Sequence, residues 1–329
     1  MSSKLLVIGC GSIGARHAAN ACGLCSVHVF DEDSAKVDDL VTSLNVTGHY
    51  DLLSAITAKP DAIIVATPTH VHAETVAKCL DSSRKILVEK PIARTVSEAN
   101  RMVKQLGCSN FTDVCVSSNM RFHPGPKILK NEISSIGKIY SFRGWFGSYL
   151  PSMRHGMDYR KLYCSKKSEG GGVLRDSIHD IDLALWLLGP ASFTTGIACK
   201  VSRLEIDVED VAEIVMKHRS NVISNIHLDY LQKRKRRGIE IIGSKGILTW
   251  TSEGKNPEKV NVCRTLGEHG SVEILFSDIC FDGNQPYKEM LDKFLSSDEL
   301  DQTEISSVTE AILALDCCEK VISHEQVFE

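Results

Sequence analysis

The chain contains 329 residues, which is long enough for two domains of ordinary size, each with its own hydrophobic core. Hydrophobic residues make up 43% of it and charged residues 24%, which excludes collagen-like, intrinsically disordered and coiled-coil chains. The formal net charge of −4 argues against binding to nucleic acid or to an anionic membrane, since both partners require a basic surface.

The apolar runs of the sequence are short. The longest of them, residues 183–188, is far below the roughly 20 residues that a membrane-spanning helix needs. Residues 5–8 are too few for the core of a signal peptide, and they run directly into glycines. We therefore expect a cytoplasmic protein that does not contact the membrane.

The twelve cysteines are scattered, and some, such as Cys79 and Cys115, lie inside apolar stretches. This distribution favours reduced, mostly buried thiols over a disulfide framework. Cys22 and Cys25 have the spacing of a redox or zinc half-site, but the chain has no second pair at metal-ligand spacing. A helix-end turn around Gly23 is the favoured interpretation, and no metal is expected.

The first 120 residues alternate short apolar runs with helical patterns. Because the runs are apolar on both faces, they predict parallel strands that are covered by helices, as in a doubly wound α/β sheet. The predicted strands are residues 4–8, 27–30, 62–66, 85–88 and 114–117, and the predicted helices are residues 13–21, 34–44, 71–80 and 96–106.

The pattern changes after about Arg121, where the segment His123–Pro126 is a cluster of helix and strand breakers. Longer, alternating strands follow, with a hairpin connection at residues 244–246 and helices at 172–188, near 287–295 and at 308–322. We therefore predict a domain at residues 1–121 and a second, α+β domain at residues 122–329, whose C-terminal helix can pack back on the first. The predicted strands of the second domain are residues 139–146, 210–218, 222–228, 239–242, 247–250, 259–263 and 272–276.

A glycine-rich turn joins the first predicted strand to the first predicted helix. In this context Gly9, Gly11 and Gly14, with Ser12 and Ile13 between the last two, predict a dinucleotide pyrophosphate site at the start of a helix.

An acidic side chain completes this pattern. Asp31 ends the second strand, where a carboxylate holds the ribose hydroxyls of adenosine. Glu32 and Asp33 are also acidic and no Arg or Lys is adjacent, which favours NAD(H) over NADP(H). The alternative is a glycine turn that binds no ligand.

Two further motifs follow predicted parallel strands, at the edge where open α/β sheets bind ligands. One contains Thr67, Pro68 and His70, and the other contains Glu89 and Lys90. A lysine directly after a buried strand suggests a functional role, although a solvated strand end is an equally good interpretation on position alone.

The predicted helix at residues 172–188 carries an apolar stripe and a separate polar stripe. The polar stripe consists of Arg175, His179 and Asp182, with Asp176 at its flank. A histidine flanked by a guanidinium and carboxylates is a candidate general acid or base. An exposed row of ion pairs is the alternative.

The ordered set of motifs resembles the glucose–fructose oxidoreductase / inositol dehydrogenase / rhizopine-catabolism (Gfo/Idh/MocA) family over nearly the whole chain. The motifs are the glycine turn, the segment 66–70, the Glu-Lys-Pro at 89–91, the segments 119–122 and 158–160, and the run from Gly170 to Asp182. The resemblance implies a Rossmann domain followed by an α+β domain with a large, mostly antiparallel sheet. It also implies oxidation or reduction of a sugar, cyclitol or related polyol with NAD(P).

The resemblance also implies roles for individual residues. Lys90 would contact the reacting oxygen and the nicotinamide ribose, and His179 would take or give the hydroxyl proton. Asn119 and Arg121 would lie near the nicotinamide and the substrate. Thr67, Pro68, His70 and Glu89 would line the cofactor, and Asp158 and Arg160 would border the substrate cleft.

One position departs from the pattern of many polyol dehydrogenases in this family. Arg175 stands where they have an aspartate four residues before the histidine, and Asp176 follows it. We expect both residues to contact the substrate, because an arginine binds carboxylate or phosphate groups in a two-point manner. The surrounding run is similar to a subgroup acting in surface-polysaccharide or sialic-acid-like pathways, which implies an acidic or nucleotide-linked sugar.

The basic run at residues 233–237 is interpreted as a sheet end or strand edge rather than a nucleic-acid patch. The leading hypothesis is an NAD-dependent sugar oxidoreductase that forms dimers or tetramers through its C-terminal sheet, as the resemblance implies. Two alternatives stay open: a sugar elimination or glycosidic cleavage that recycles bound NAD, and a non-catalytic regulator that senses NAD.

Overall fold

The computed structural model describes residues 3–83, 85–110, 114–154, 156–297 and 304–324. Its contacts divide the chain into two compact units. The first unit comprises Met1–Asn119 and Tyr287–Ile312, and the second comprises Met120–Pro286 and Leu313–Glu329. The first unit thus ends at Asn119, just before the predicted boundary at residue 121, and it also includes a C-terminal segment. The boundary of an independently folding domain stays a prediction.

The strands, in chain order, are β1 (Lys4–Ile8), β2 (Ser26–Phe30), β3 (Thr47–His49), β4 (Ala62–Val65), β5 (Ile86–Val88), β6 (Val114–Val116), β7 (Ile139–Gly147), β8 (Ala191–Cys199), β9 (Val211–His218), β10 (Ile223–Asp229), β11 (Arg236–Gly243), β12 (Gly246–Glu253), β13 (Glu258–Leu266), β14 (Val272–Phe281) and β15 (Ser306–Ser307).

The α-helices are α1 (Ser12–Ala21), α2 (Ser34–Ser43), α3 (Leu52–Thr57), α4 (His72–Cys79), α5 (Val96–Asn110), α6 (Pro124–Glu132), α7 (Val173–Asp176), α8 (Ile178–Leu188), α9 (Gln285–Ser296) and α10 (Val308–His324). Among the residues with described structure, none of the helices is both long and apolar enough to cross a bilayer.

The first unit contains a seven-stranded sheet in the order β15-β6-β5-β4-β1-β2-β3. Its strands are parallel except for β15, which pairs antiparallel with β6. Strands β1, β4 and β5 are almost completely buried, which explains their unbroken apolar sequences. The doubly wound architecture predicted for this part is confirmed. Strand β1 lies between β4 and β2, so the order of the strands reverses at β1.

Two short elements of the first unit were absent from the sequence prediction. Strand β3 and helix α3 are only three and six residues long, so neither leaves a clear periodic pattern. The caps of the neighbouring helices are typical, since the side chains of Asp33 and Asp51 accept backbone N–H groups at the starts of α2 and α3. Gly23, at φ +91°, follows the end of α1, which confirms the predicted helix-end turn.

The second unit contains an eight-stranded sheet in the order β14-β13-β12-β11-β7-β10-β9-β8. Only β7 and β10 are parallel, so the prediction of a large, mostly antiparallel sheet is confirmed. Strand β9 alternates as predicted: Ala212, Ile214 and Met216 are buried, whereas Glu213 and Lys217, at the intervening and following positions, are exposed.

The single helix predicted at residues 172–188 is wrong. Ser177, with φ −100° and ψ +24°, separates the one-turn helix α7 from α8, which packs against β7 and β10. Arg175 and His179 therefore belong to two separate helices, α7 and α8, and not to one continuous helical stripe.

The breaker cluster at residues 123–126 begins a helix. Pro124 is the first residue of α6, a position where its missing N–H carries no penalty. His123, which precedes it, caps the helix because its side chain accepts the Gly125 N–H. Strand β8 was also missed, because its exposed Phe193 and Ile197 blur the expected alternation.

Candidate active site

The glycine turn after β1 is shaped by close backbone contacts. Gly9 has φ +99°, and a Cβ atom there would lie 2.6 Å from the Ala66 carbonyl oxygen. A Cβ atom on Gly14 would lie 1.7 Å from the Gly9 carbonyl oxygen, so this glycine lets α1 pack on the strand end. Gly11 precedes α1 as its N-cap, and no atom lies within 4 Å of a Cβ position there, which leaves open space in front of the helix. Ser12 and Ile13 lie in the first turn of α1.

Asp31 lies at the end of β2, beside this turn. Its carboxylate accepts the Cys10 N–H at 2.7 Å and the Asp33 N–H at 2.9 Å. Contrary to the sequence interpretation that no lysine is close, the Lys36 ammonium lies 3.6 Å from the same carboxylate because α2 folds back toward it. Main-chain N–H groups therefore orient the Asp31 carboxylate, and the ammonium of the partly exposed Lys36 lies beside it.

The segment after β4 is held by a buried histidine. The His72 imidazole lies 2.9 Å from the Thr67 carbonyl oxygen and 3.3 Å from the Ile92 carbonyl oxygen, and burial lowers its pKa. Pro68 and His70 are exposed, whereas the Thr67 hydroxyl is buried and has no hydrogen-bond partner among the described residues. This hydroxyl can therefore bind a ligand atom at the sheet edge.

Glu89 and Lys90 follow β5 at the same edge. Glu89 is buried, and its carboxylate lies 2.7 Å from the Nε2 atom of the equally buried His17 and accepts the Lys90 N–H at 3.2 Å. Burial alone would raise the pKa of Glu89, but hydrogen bonds from His17 and Ser117 and the charge of Lys90 lower it. The carboxylate is therefore ionised, and Lys90, half-buried, follows it directly.

Asn119 follows β6, the next strand of the same sheet. It is 5% exposed, and its Oδ1 atom has no hydrogen-bond partner among the described residues. A buried amide oxygen without a partner is costly unless a ligand or water satisfies it, which is consistent with a ligand contact here.

In the second unit, two arginines hold the first turns of α8. The Arg121 guanidinium forms a two-point ion pair with Asp182, with distances of 2.9 and 2.6 Å, and it is 2% exposed. Arg237 lies 3.2 Å from Asp180 on the same helix. His179 directly precedes Asp180 in sequence and is 9% exposed, so the alternative of an exposed row of ion pairs is wrong.

Asp176, at the end of α7, is engaged by two tyrosines. The Tyr163 hydroxyl donates to its carboxylate at 2.5 Å, and the Tyr230 hydroxyl does so at 3.3 Å. Burial and the charge of Asp176 raise the pKa of both tyrosines well above the usual value. Arg175 is half-buried beside it.

Asp158 and Arg160 form a separate cluster of the second unit. Asp158 caps a short 3-10 helix, and Arg160 pairs with it at 2.8 Å and with Glu205 at 2.9 Å. Both pairs are largely exposed, and the arginine lowers the pKa of Asp158. The charges of Asp158 and Arg160 are thus already paired with each other.

The basic run at residues 233–237 lies at the beginning of β11, which agrees with a sheet end, but the interpretation as an edge strand is wrong. Arg236 and Arg237 belong to β11, which is paired on both sides. Lys235 pairs with the buried Glu258 at 2.7 Å, Arg234 and Arg236 pair with Glu253, and Arg237 pairs with Asp180. The carboxylates that pair with these residues lie elsewhere in the chain, so the sequence alone shows only a basic run.

The structure brings one group of predicted residues together within a single unit. The glycine turn, Asp31, Thr67, Lys90 and Asn119 follow β1, β2, β4, β5 and β6, and all lie at the carboxyl edge of the first sheet. Sequence reasoning missed His17 and His72, which link these segments. His17 lies on the buried face of α1 with Gly14, Ala18 and Ala21, and this helical spacing was the available signal.

Two family models match the sequence. Residues 3–110 match "Oxidoreductase family, NAD-binding Rossmann fold", and residues 132–249 match "GFO/IDH/MocA C-terminal domain".

Several curated proteins are similar to this chain. A myo-inositol 2-dehydrogenase of Thermotoga maritima is 26% identical over 290 residues, 83% of this chain and 82% of that protein. Inositol 2-dehydrogenase 2 of Saccharopolyspora erythraea is 26% identical over 69% of this chain and 67% of its own length. A levoglucosan dehydrogenase of Pseudarthrobacter phenanthrenivorans is 33% identical over 42% of this chain and 36% of its own length.

Solved structures share the whole fold. A levoglucosan dehydrogenase in complex with NADH and L-sorbose superposes with a TM-score of 0.83 over 99% of this chain and 97% of its own, at 17% identity. An oxidoreductase from Agrobacterium radiobacter in complex with NAD+, L-tartaric acid and magnesium has a TM-score of 0.77 over 99% of this chain and 97% of its own, at 19% identity. At these identities the likeness establishes the fold.

Proposed function

We propose that this chain, which belongs to the Gfo/Idh/MocA family of NAD-binding oxidoreductases, transfers a hydride between NAD(H) and a secondary alcohol or ketone of a sugar or cyclitol. The names of its relatives, inositol and levoglucosan dehydrogenases, support this class of substrate. The observation that carries the proposal is the position of Lys90, which follows a buried strand at the ligand-binding edge and is flanked by an ionised, buried carboxylate.

The residues of the first unit fit a nicotinamide dinucleotide. The open space at Gly11 leaves room for a pyrophosphate at the start of α1, and Asp31 is oriented by backbone N–H groups toward the edge where a ribose would bind. The buried oxygens of Thr67 and Asn119 supply polar contacts that the protein itself leaves unused among its described residues. When bound, NAD(H) supplies the hydride acceptor or donor, and the protein supplies orientation and charge.

We assign the acid–base chemistry to Lys90 and His179. In the oxidation direction His179 accepts the hydroxyl proton of the substrate, and the Lys90 ammonium donates a hydrogen bond to the same oxygen and stabilises its developing negative charge. The arginine pairs at Asp180 and Asp182 hold the helix turn that carries His179, so the imidazole is presented by a rigid element.

The substrate contacts follow from the remaining residues. Arg175 is assigned to an acidic or heavily hydroxylated substrate, while Asp158 and Arg160 border the cleft through a loop whose charges are already paired. Arg121 and Asp176 already have strong partners, so for them a positioning role is favoured over direct substrate contact.

The test is turnover of a panel of polyols, cyclitols, sugar acids and nucleotide-linked sugars, followed by NADH absorbance. With an accepted substrate, Lys90→Ala and His179→Ala should each lower kcat by about a hundredfold or more, while NADH binding measured by fluorescence stays within about threefold of the wild type. The exposed variant His269→Ala, at a residue with no assigned role, is the control for loss of a histidine side chain.

Three outcomes would contradict the proposal. Near-wild-type turnover in both variants would remove the mechanism. A product formed without net NADH release would indicate elimination or glycosidic cleavage with recycled cofactor. NADH binding without turnover of any panel member would favour a sensor.

We further propose that the open face of the second sheet forms a homo-oligomer. Large apolar side chains on this face are strongly exposed, which is unusual for a surface that stays in contact with water. Size-exclusion chromatography with light scattering should give a dimer or tetramer, and Ile223→Lys with Ile274→Lys should give the monomer. A wild-type monomer at micromolar concentration would exclude this interface. The exposed side chains on this face include Phe193, Ile197, Val215, Ile223, Val272 and Ile274.

A further inference from the structure

The buried carboxylate of Glu89 is an unusual feature of the first unit. It lies at the end of β5, whose three residues are apolar and fully buried. A carboxylate in such a place is costly, and a strand end that needed only packing would be served by an apolar residue. The charge therefore serves something other than packing.

The contacts of Glu89 come from an imidazole, a hydroxyl and a main-chain N–H. His17 approaches one carboxylate oxygen at 2.7 Å, the Lys90 N–H donates to the other at 3.2 Å, and the Ser117 hydroxyl also donates to the group. Such donors orient a carboxylate while it keeps its negative charge, unlike the guanidinium that neutralises Asp182 in the second unit.

His17 connects this carboxylate to the helix behind the glycine turn. It is fully buried on α1, three residues after Gly14, and its Nδ1 atom has no hydrogen-bond partner among the described residues. The edge of its ring faces Tyr287, with centroids 6.1 Å apart, and the Arg16 guanidinium lies 4.8 Å from the centre of the same tyrosine ring. The imidazole is therefore fixed in place, with Nε2 directed at Glu89.

We propose that Glu89 and His17 form a positioning pair for Lys90: Glu89 holds the peptide from which the lysine side chain leaves, and His17 fixes Glu89 to the cofactor helix. The role of Lys90 rests on the proposed function. In this arrangement Glu89 acts through the lysine, rather than as the cofactor contact that the family resemblance implies.

The pair has a consequence for the conformation of Lys90. Because Glu89 accepts the Lys90 N–H, loss of this acceptor should release the peptide from which the lysine side chain leaves. The titratable groups that face Glu89 are His17 from α1, His72 from α4 and Lys90 itself, and Ser117 faces it from the end of β6. Glu89→Gln keeps an acceptor oxygen at this place and Glu89→Ala removes it, so the two variants together isolate this effect.

The first measurement does not depend on turnover. Lysine side chains are ¹³C-methylated, Lys90 is assigned by its absence in Lys90→Arg, and its signal is followed by NMR in the NADH complex. Glu89→Ala should shift and broaden the Lys90 signal, while Glu89→Gln should restore most of its position. The exposed Glu74→Ala is the matched control and should leave the Lys90 signal unchanged.

The second measurement uses an accepted substrate. Glu89→Ala should lower kcat by about tenfold to a hundredfold, with KM and NADH affinity within about threefold of the wild type, and Glu89→Gln should recover part of the loss. His17→Gln should lower kcat by less, because the Glu89 acceptor remains.

An unchanged Lys90 signal in folded Glu89→Ala, or a loss that appears in KM and not in kcat, would overturn the positioning pair and leave a purely structural role. Loss of NADH binding in Glu89→Ala would instead indicate direct cofactor contact. These results are distinct from a failure of the proposed function, in which Lys90→Ala itself would remain active.

Discussion

Two groups of carboxylates in this protein are held by different kinds of partner. In the first unit Asp31 is held by two backbone N–H groups, and Glu89 is held by an imidazole, a hydroxyl and a backbone N–H. In the second unit Asp180, Asp182 and Glu258 are each held by a lysine or an arginine.

This difference distinguishes carboxylates that can act on a ligand from carboxylates that stabilise the fold. A carboxylate that receives N–H groups remains a net anion and can act on a ligand or a neighbouring lysine. A carboxylate paired with a buried cation is neutralised, and its role is to fix the elements that carry the two groups. Loss of the charge should therefore impair ligand chemistry at Asp31 and Glu89, and stability at Asp180, Asp182 and Glu258.

The largest stability effect is expected at Arg121. Arg121→Leu removes a two-point ion pair and leaves Asp182 buried without its cation, which should lower the free energy of unfolding by about 3–5 kcal/mol. Urea denaturation measures this change. The exposed Arg234→Leu, which loses a pair at 3.3 Å, is the matched control and should cost less than about 1 kcal/mol.

A double substitution checks the cause of that loss. Arg121→Leu with Asp182→Leu removes both charges and should recover much of the stability, because no unpaired buried charge remains. Equal losses in the single and double variants would show that packing, not charge, holds α8.

Glu258 is expected to make the stability of the second unit sensitive to acid. Burial alone would raise its pKa, but contacts with His123, Lys235 and Ser252 lower it from the usual 4.5 to about 2. Because the pKa of the folded state is the lower one, this contribution is complete above about pH 4.5 and is lost as the pH falls through about 2. The difference corresponds to about 3 kcal/mol at neutral pH.

The measurement is the unfolding free energy between pH 2 and 7. The wild type should exceed Glu258→Gln by about 3 kcal/mol at pH 7, and the two curves should converge toward pH 2. A difference that is constant across this range would mean that the carboxylate charge is not the source.

Asp31 should affect cofactor choice with little effect on stability. Asp31→Asn removes the negative charge that repels a 2′-phosphate and leaves the nearby Lys36, so the ratio of NADP(H) to NAD(H) affinity should rise by about tenfold to a hundredfold. Fluorescence titration with both reduced cofactors measures it. A wild-type protein that binds NADPH more tightly than NADH would already contradict the role assigned to Asp31.

The smallest effect is expected at the exposed Arg160. Its pairs with Asp158 and Glu205 lie in water, so Arg160→Ala should leave the Tm unchanged. If this loop borders the substrate cleft, the KM for an acidic sugar should rise while kcat is retained. An unchanged KM for every accepted substrate would exclude the loop from the substrate site.

The local features of the fold were predictable where short-range rules apply. The buried parallel strands, the alternation in β9 and the glycine turn follow from periodicity and from the backbone freedom of glycine. The break at Ser177 was not predictable, because residues 172–188 keep an unbroken apolar pattern across it. The helix that begins at Pro124 was missed because a proline there begins a helix as readily as it ends one.

The sequence by itself determined the order of the buried parallel strands of the first unit, the glycine turn at the start of α1 and the family to which the chain is similar, since each depends on neighbouring residues or on the order of motifs. Only the tertiary structure decided which charges are partners. Arg121 and Asp182 are 61 positions apart, and His17 and Glu89 are 72 apart. Electrostatic interaction depends on distance in space, which the spacing along the chain does not contain.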